Sequence, residues 1–397
     1  MIDALLTPAN VLPRDHERAL LVGRIWIEGA GAVLVRVTAD HVFDISGIAP
    51  TSTALLEMAD PVGTVREYGG PPIGETAAIL ANSASERRHA ATPWFLAPCD
   101  LQAIKAAGVT FVASMLERVI EEQARGDAAR AEAVRCAVVG VIGDNLRQVR
   151  PGSAQAARLR EVLIAQGAWS QYLEVGIGED AEIFTKAQPM SAVGVGADIG
   201  LHPASRWNNP EPEVVLAVNS RGQVRGCTLG NDVNLRDFEG RSALLLGKAK
   251  DNNASAAIGP FIRLFDEHFG IDEVRRCDLA MRVSGPGDGF ELQGASSLAL
   301  ISRDPLDLVD QAMGAPEART HQYPDGFMLY LGTMFAPTQD RHGPGQGFTH
   351  VIGDTVSVTT PLLGTLVNRV NRSDRAAPWT YGAAALMRDL ARRGLLA

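Results

Sequence analysis

The chain has 397 residues, of which 46% are hydrophobic, and a formal net charge of −9 at pH 7. This length allows one large domain or two with a sizeable core, and the acidic balance argues against nucleic acid as a partner. No apolar run approaches the ~20 residues of a membrane helix. Because the cysteines (Cys99, Cys136, Cys227 and Cys277) form no Cys-x-x-Cys motif and no signal-peptide pattern opens the chain, we expect a cytoplasmic protein without a zinc site or disulfides.

Residues 1–95 are predicted to form a small N-terminal α/β domain, and residues 96–397 a larger catalytic domain. The segments GRIWIEG, AVLVRV and HVFDIS predict three strands in the first part, and TSTALLEMAD predicts a helix with capping residues. In the second part, helical spacing in SMLERVIEEQARG, DAARAEAVRCAVVGVIGDNL and PGSAQAARLREVLIAQG predicts a helical insertion near residues 115–168.

Two glutamates precede an apolar run in the middle of the chain. Glu211 and Glu213 flank Pro212, and the run VVLAV that follows is apolar at both alternating sets of positions. Such a run is typical of a strand that is buried on both faces. Two carboxylates at the mouth of a buried strand are costly unless a positive group meets them. The alternative interpretation is a solvated strand face.

A turn sequence (NSRG) and a second strand (VRGCTLGNDV) follow, which predicts a hairpin. With a four-residue loop, Val218 would lie opposite Gln223, and Gly230 opposite Glu211. Asp232 would come next on the same face, diagonal to Glu211, whereas a slip of one residue would move it to the other face. Three carboxylates would then converge, and oxygen-only ligands favour Mg²⁺, with Mn²⁺ as an alternative.

Two lysines, Lys248 and Lys250, follow in the small-residue stretch LLLGKAKDNNASAAIGPF. A lysine buried there beside a metal would have its charged form disfavoured, and the lower pKa would suit a general base. For either lysine, the alternative is a surface side chain that extends past small residues.

Farther along the chain, FIRLFDEHFG predicts an amphipathic helix, and CDLAMRVSGPGDGFELQG predicts a strand, a Gly-rich turn and a strand. The loop HGPGQGFTH (342–350) either closes over a substrate or serves as a plain surface connection. The last stretch, APWTYGAAALMRDLARRG, predicts a helix whose basic last turn suits the helix dipole.

Several of these motifs together resemble those of the fumarylacetoacetate hydrolase family. They are Glu211-x-Glu213, the run NDVNLRDFEG, a lysine before Ile-Gly-Pro, the turn LGTMFAP, and the hairpin GDTVSVTTPLLGTLVNRV. A narrower resemblance, in NPEPEVVL, KAKDNNASAAIGPF and HQYPDGFMLYLGTMFAP, is to the family's 2-keto-3-deoxy-pentonate dehydratases of the xylonate type. The resemblance implies an α+β fold with a mixed β-roll, one Mg²⁺ per subunit, and a homodimer or a dimer of dimers.

The resemblance also implies roles for individual residues. Glu211, Glu213 and Asp232 take the metal-ligand places, and an ungapped count back from Ile-Gly-Pro gives the catalytic place to Lys250, not Lys248. Arg236 takes a substrate-side place, and Thr333 lies in the turn that closes on the substrate carboxylate. The segment EDAEIFTKAQPM is similar to the family's Phe-x-Lys strand, where Lys186 either points to the substrate or flanks a sheet; we favour the structural role.

One segment departs from the pattern of the family's hydrolases, which carry Asn-Tyr-x-x-His-x-x-Glu and use the His-Glu pair to activate water. Here Phe111 takes the tyrosine place, Ser114 the histidine place and Glu117 the glutamate place. Serine cannot act as a base near neutral pH, which argues against hydrolysis and for proton removal by a lysine. We expect Phe111 and Ser114 at the substrate site, and Glu117 as an acid–base group or a helix-surface residue.

The expected function is magnesium-dependent removal of water from a small sugar acid, a 2-keto-3-deoxy-pentonate, to give 2,5-dioxopentanoate in non-phosphorylative pentose catabolism. Two alternatives stay open: a magnesium-dependent hydrolase that cleaves a C–C bond in a diketo acid, and a non-catalytic binding or scaffold protein.

Overall fold

The computed structural model describes residues 2–125, 127, 130–131, 149–165, 167–314, 319–335, 337–344 and 346–396. Sixteen strands in these ranges form two sheets. The strands are β1 Leu21–Ile27, β2 Gly31–Val37, β3 His41–Asp44, β4 Pro72–Glu75, β5 Trp94–Leu96, β6 Ala103–Gly108, β7 Glu182–Ala187, β8 Asp198–Leu201, β9 Pro212–Val218, β10 Val224–Asp232, β11 Ala256–Leu264, β12 Asp278–Ser284, β13 Glu291–Ser297, β14 Phe327–Tyr330, β15 Thr355–Thr360 and β16 Gly364–Arg372.

Short helices connect these strands. The α-helices are α1 Pro8–Val11, α2 Ser52–Glu57, α3 Pro61–Glu67, α4 Thr76–Ala81, α5 Val112–Ala124, α6 Ala154–Ala165, α7 Gln171–Ile177, α8 Arg236–Glu239, α9 Leu246–Lys250, α10 Ile271–Arg275, α11 Pro305–Ala312 and α12 Ala383–Arg392. Single 3₁₀ turns lie at Ile2–Leu5, Ser85–Arg87, Ala243–Leu245 and Leu298–Leu300. In the described part of the chain, no helix is both long and apolar enough to cross a membrane.

The larger sheet has the strand order β4-β3-β2-β1-β11-β10-β9-β14-β6-β7, and β5 pairs with β1. Strands β1, β2 and β3 of this sheet are the three strands predicted at the N-terminus. The predicted helix is α2, and the side chain of Thr51 caps it by accepting a hydrogen bond from the Ala54 N–H. Strand β1 pairs antiparallel with β11, with Leu21 opposite Arg263. Backbone hydrogen bonds therefore join the N-terminal strands to the central ones in one sheet, and the domain boundary at residue 95 stays a prediction.

The smaller sheet, in the order β13-β12-β15-β16-β8, packs against one face of the larger sheet. On β9, Val214 and Leu216 belong to the core cluster that also contains Leu366 of the smaller sheet. The alternate residues Val215 and Ala217 belong to a second cluster on the other face, which includes apolar residues of α2. The prediction of a strand buried on both faces is confirmed for β9, and the predicted closing hairpin is β15–β16.

The amphipathic helix predicted for FIRLFDEHFG is wrong, because FIRL is the end of strand β11. All nine residues of β11 are buried, and the strand lies between β10 and β1 in the sheet. A short apolar run fits a strand and a helix segment equally well, and its burial by neighbouring strands decides between them.

Helix α5 lies where the first helix of the insertion was predicted, so the prediction of that helix is confirmed. Its residues Met115 and Val119 pack on Leu173 and Ile177 of α7 in one apolar cluster. Another face of α5 carries charged residues that line the pocket around Glu211, Glu213 and Asp232. Most of the second predicted helix, with Cys136, lies outside the described residues.

Candidate metal centre and active site

Three buried carboxylates meet at one end of the β9–β10 hairpin. Glu213 lies on β9, Glu211 directly precedes that strand, and Asp232 is the last residue of β10. Each is at most 5% exposed, and one oxygen atom from each lies within 4.8 Å of the other two. The predicted convergence of the three carboxylates is thus confirmed in the structure.

The register that produces this convergence differs from the predicted one by two residues. Gly230 pairs with Glu213 and not with Glu211, and the backbone N–H of Asp232 donates to the Glu211 carbonyl at 3.0 Å. The connection between the strands has five residues, and a β-bulge at Arg225 adds one more. Because side chains alternate with a period of two, a shift of two residues keeps Asp232 on the same face as the glutamates.

The donor set fits a hard divalent cation, because all three ligands are carboxylate oxygens. Burial raises the pKa of Glu213 well above its usual value, and the neighbouring charges of Asp232 and Glu211 raise it further. A divalent cation among the three carboxylates would offset both costs. One Glu213 oxygen also accepts a hydrogen bond from the Gly332 N–H at 2.6 Å. Gly332 has φ of +86°, a left-handed conformation that favours glycine.

Lys250 reaches the carboxylates from the end of α9 and is 2% exposed. Its Nζ lies 2.5 Å from Glu211 Oε2 and 3.0 Å from Asp232 Oδ2. Burial lowers the pKa of Lys250, but the carboxylates of Asp232 and Glu211 outweigh burial and hold this pKa above its usual value. The predicted lowering concerns a lysine beside a bound metal ion, and it stays a prediction. Lys248 is exposed, with its Nζ 5.2 Å from the ring centre of Phe238.

Helix α5 reaches the three converging carboxylates through Arg118, which the sequence reasoning missed. Arg118 donates to Glu211 Oε1 at 2.6 Å and to Glu121 at 2.8 Å, and forms an ion pair with Glu239 at 2.7 Å. These three carboxylates outweigh burial and hold the pKa of Arg118 well above its usual value. Arg118 lies three residues before Glu121, a spacing that places both on one helix face, and this was the only signal in the sequence.

Arg236 links the same helix to the turn after β14. It donates to Glu121 at 2.6 Å, to Glu117 at 3.2 Å and to the carbonyl of Pro337 at 3.3 Å. Its guanidinium also stacks over Trp207, 4.3 Å from the ring centre. Glu117 and Arg236 thus lie together at the pocket wall, where the sequence predicted both.

Two further carboxylates line the pocket and were not predicted. Burial raises the pKa of Glu239 to about 7, against the opposing attraction of Arg118. Burial also raises the pKa of Glu182, again against Arg118. Among the described residues, the side chain of Glu182 makes no hydrogen bond or ion pair. The alternation of Glu182, Phe184 and Lys186 along β7 was the signal for a shared strand face.

The predicted substrate-side residues do not all reach the pocket. Ser114 and Thr333 line it, and the Ser114 hydroxyl donates to the Phe111 carbonyl at 2.9 Å. Phe111 itself is buried in the apolar core and is not among the described residues that line the pocket. No histidine lines this pocket in the described ranges of the chain.

The charges around the pocket are unbalanced. Its described lining has seven carboxylates and three cationic groups, and Lys186 lies directly behind Asp232 as a fourth. The formal excess of three negative charges in a largely buried site is costly. A bound divalent cation would remove most of this excess, so the charge balance agrees with the geometry of the three carboxylates.

Comparison with known proteins gives two curated relatives. The sequence is 29% identical over 191 residues to the 2-dehydro-3-deoxy-D-arabinonate dehydratase of Saccharolobus solfataricus, a match to 48% of this chain and 59% of that protein. It is 29% identical over 199 residues to a probable 2-keto-3-deoxyxylonate dehydratase of Haloferax volcanii, a match to 50% of this chain and 63% of that protein. The chain thus spans about three fifths of each relative's length. No protein-family profile matches it.

Two solved structures resemble this fold over most of the chain, although their sequences are only 19% identical to it. The apo form of 2-keto-3-deoxy-D-arabinonate dehydratase has a TM-score of 0.62 at 19% identity, covering 89% of this chain and 99% of that one. The same enzyme complexed with magnesium and 2,5-dioxopentanoate has a TM-score of 0.61, with the same identity and coverage. The resemblance to pentonate dehydratases is confirmed, and the chain has the mixed α+β fold of these enzymes that its motifs predicted.

Proposed function

We propose that this protein is a magnesium-dependent dehydratase that converts a 2-keto-3-deoxy-pentonate into 2,5-dioxopentanoate and water. The observation that carries this proposal is the direct contact of Lys250 with two of three converging, buried carboxylates. Such an arrangement suits proton removal beside a metal-bound keto acid. The relatives and the similar structures are named for the same reaction, which supports the proposal.

Glu211, Glu213 and Asp232 would hold the Mg²⁺, or Mn²⁺ in its place. When bound there, the ion would supply Lewis-acid polarisation of the substrate's 2-keto group, which makes the C3 protons more acidic. The ligand oxygens that now attract Lys250 would then be engaged by the cation. This would free the amine of Lys250 to take part in proton transfer.

Lys250, as a neutral amine, would remove one C3 proton. Arg236 and Arg118 line the same pocket and would stabilise negative charge that develops on the substrate oxygens. Thr333, in the turn beside Glu213, would contact the substrate carboxylate. The buried position of Lys250 keeps bulk water away from the amine.

The C4 hydroxyl would leave as water after it receives a proton from a carboxylic acid of the pocket. Glu117 is the candidate from the sequence, and its carboxylate is paired with Arg236. Glu182 is a second candidate, because burial raises its pKa towards the protonated form that an acid needs. The unsaturated keto acid would then lose a C5 proton and gain a proton at C3, which gives an enol with a double bond between C4 and C5. Loss of the enol hydroxyl proton and gain of a proton at C4 would convert this enol into the aldehyde of 2,5-dioxopentanoate.

The test is direct. Purified protein would be treated with a chelator and incubated with 2-keto-3-deoxy-D-xylonate or 2-keto-3-deoxy-D-arabinonate, with and without added Mg²⁺. We expect 2,5-dioxopentanoate by mass spectrometry only when Mg²⁺ is present. Pyruvate-type products from C–C cleavage would favour the hydrolase alternative, and absence of both turnover and Mg²⁺ binding would favour a binding protein.

The pocket favours dehydration over hydrolysis because Ser114 lines it where the hydrolases have a histidine. A serine beside the metal site can donate and accept hydrogen bonds but does not activate water near neutral pH.

We further propose a cytoplasmic homo-oligomer, a homodimer or a dimer of dimers. Light scattering on the purified protein and fractionation of cells would test these two points.

A further inference from the structure

Lys186 lies on β7 at a β-bulge behind the three carboxylates. Strands β6 and β7 pair Lys105 with Thr185 and Ile104 with Ala187, so Lys186 is the extra residue between the two pairs. A bulge changes the direction of the side chain it carries. Lys186 is fully buried, whereas Thr185 beside it is exposed.

Three oxygen atoms surround the Lys186 ammonium. Nζ lies 2.8 Å from Asp232 Oδ1, 3.1 Å from the Val233 carbonyl and 2.5 Å from the Lys250 carbonyl. The ammonium donates hydrogen bonds to the two carbonyls and forms an ion pair with the Asp232 carboxylate. A buried ammonium without such partners would be strongly destabilising.

The Lys250 carbonyl is the C-terminal end of α9, which has only five residues. Carbonyl groups at a helix C-terminus have no partner within the helix, and so short a helix is not stable without tertiary contacts. The Ser255 hydroxyl donates to the same carbonyl at 2.7 Å. Lys186 and Ser255 together therefore hold the end of the helix from which the Lys250 side chain extends.

We propose that Lys186 is a positioning residue that holds the metal ligand Asp232 and the backbone of Lys250 in one rigid unit. It contacts Oδ1 of Asp232, while Oδ2 of the same carboxylate lies 3.0 Å from the Lys250 ammonium. The buried ammonium of Lys186 thus orients the Asp232 carboxylate and fixes the backbone position from which the Lys250 side chain extends. Partners of this kind orient the residues that bind a metal. The inference rests on the proposed function for the role of Lys250.

The first test is Lys186→Met, with Lys105→Met as the matched control. Lys105 lies on the adjacent strand and donates to Thr185 at 3.0 Å, away from the metal-ligand residues. Isothermal titration without substrate should show that Lys186→Met raises the Kd for Mg²⁺ by about 10- to 100-fold, because the loss of orientation of Asp232 outweighs the removal of one positive charge that would repel the ion. Lys105→Met should leave the Kd unchanged. In turnover assays of Lys186→Met, kcat should fall much more than KM rises.

A second variant separates the two contacts of Lys186. Ser255→Ala removes the other donor to the Lys250 carbonyl but keeps the contact with Asp232. We expect an unchanged Kd for Mg²⁺, faster hydrogen exchange over residues 246–250, and a lower kcat. In Lys186→Met, both the Mg²⁺ affinity and the exchange rate should change.

A folded Lys186→Met variant with the wild-type Kd for Mg²⁺, or with a lower Kd, would overturn the inference. If that variant does not fold, Lys186→Gln, which keeps an N–H donor without the charge, must show the weakened Kd, and an unchanged value would overturn the inference equally. Metal binding and hydrogen exchange need no substrate. They therefore test Lys186 even if the wild-type protein shows no dehydratase activity.

Discussion

The substitution Lys250→Met removes the proposed base and leaves the three proposed metal ligands unchanged. Methionine has a similar length and fills the buried space but cannot accept a proton. A positioned general base contributes about 10²–10⁴-fold to a rate, so we expect kcat for 2,5-dioxopentanoate formation to fall by about that factor. Lys248→Met is the control, because Lys248 is exposed two residues earlier on the same helix, and it should keep the wild-type kcat.

The same substitution should strengthen Mg²⁺ binding. The Lys250 ammonium lies 2.5 and 3.0 Å from oxygens of two ligand carboxylates, so it would repel a cation bound there. Two unit charges 4 Å apart interact by about 4 kcal/mol at an effective dielectric constant of 20. Even a third of this repulsion, about 1.4 kcal/mol, corresponds to a tenfold change in Kd. Isothermal titration of Lys250→Met should therefore give a Kd at least about tenfold below that of the wild type.

Without Mg²⁺, Lys250→Met should be less stable than the wild type. Breaking a buried ion pair leaves an uncompensated charge and costs about 3–5 kcal/mol, which urea denaturation in a chelator would measure. Wild-type turnover in a Lys250→Met variant that folds and binds Mg²⁺ would refute the role of the lysine as base. A weaker Mg²⁺ affinity in the folded variant would refute the electrostatic reasoning.

Four other predictions follow from the site and its surroundings. Chelation should lower the free energy of unfolding by about 2.7 kcal/mol relative to protein with Mg²⁺ at 100 times its Kd, and an unchanged melting temperature would count against a metal centre. Glu182→Gln should lower kcat more than Glu117→Gln, because Glu117 is paired with Arg236; the reverse order would return the acid role to Glu117. Phe111→Leu should cost about 1 kcal/mol of stability without changing KM, whereas a large rise in KM would support the predicted substrate contact. Burial lowers the pKa of His350 below 6.5, against the opposing attraction of Asp354. Below pH 6.5 the unfolded chain therefore binds a proton that the folded protein does not, and the free energy of unfolding should fall as the pH drops. His350→Gln should flatten this pH dependence in urea titrations.

Much of the fold could be predicted from local patterns. The alternation along β1–β3, the capped helix α2 and the apolar run of β9 lie where the sequence placed them. These elements are recognisable because the period of their apolar residues reports which faces are buried. The end of β11 was mispredicted as a helix, because its short apolar run has no period that separates the two structures.

The sequence placed the three proposed metal ligands on one face despite an error of two residues in the register. Neither the bulge at Arg225 nor the fifth residue of the loop was predicted. Together they shift the register by two residues, and a shift by an even number does not move a side chain to the other face of a strand. Lys250 could be chosen over Lys248 by its position before Ile-Gly-Pro, and the structure buries the first and exposes the second.

The sequence by itself determined which residue types could form the site: three acidic side chains at the ends of two neighbouring strands and a lysine shortly after them. The tertiary structure alone decided that Arg118, Glu182 and Lys186 join them, and that Phe111 does not reach the pocket. Arg118 contacts Glu211 across 93 residues of chain, and Lys186 contacts Lys250 across 64. Local spacing carries no information on contacts of such long range, since they form only when helix α5 and strand β7 pack beside the hairpin. The pKa of Lys250 was likewise decided by packing, because it depends on the carboxylates that surround the amine and not on the residues next to it in the chain.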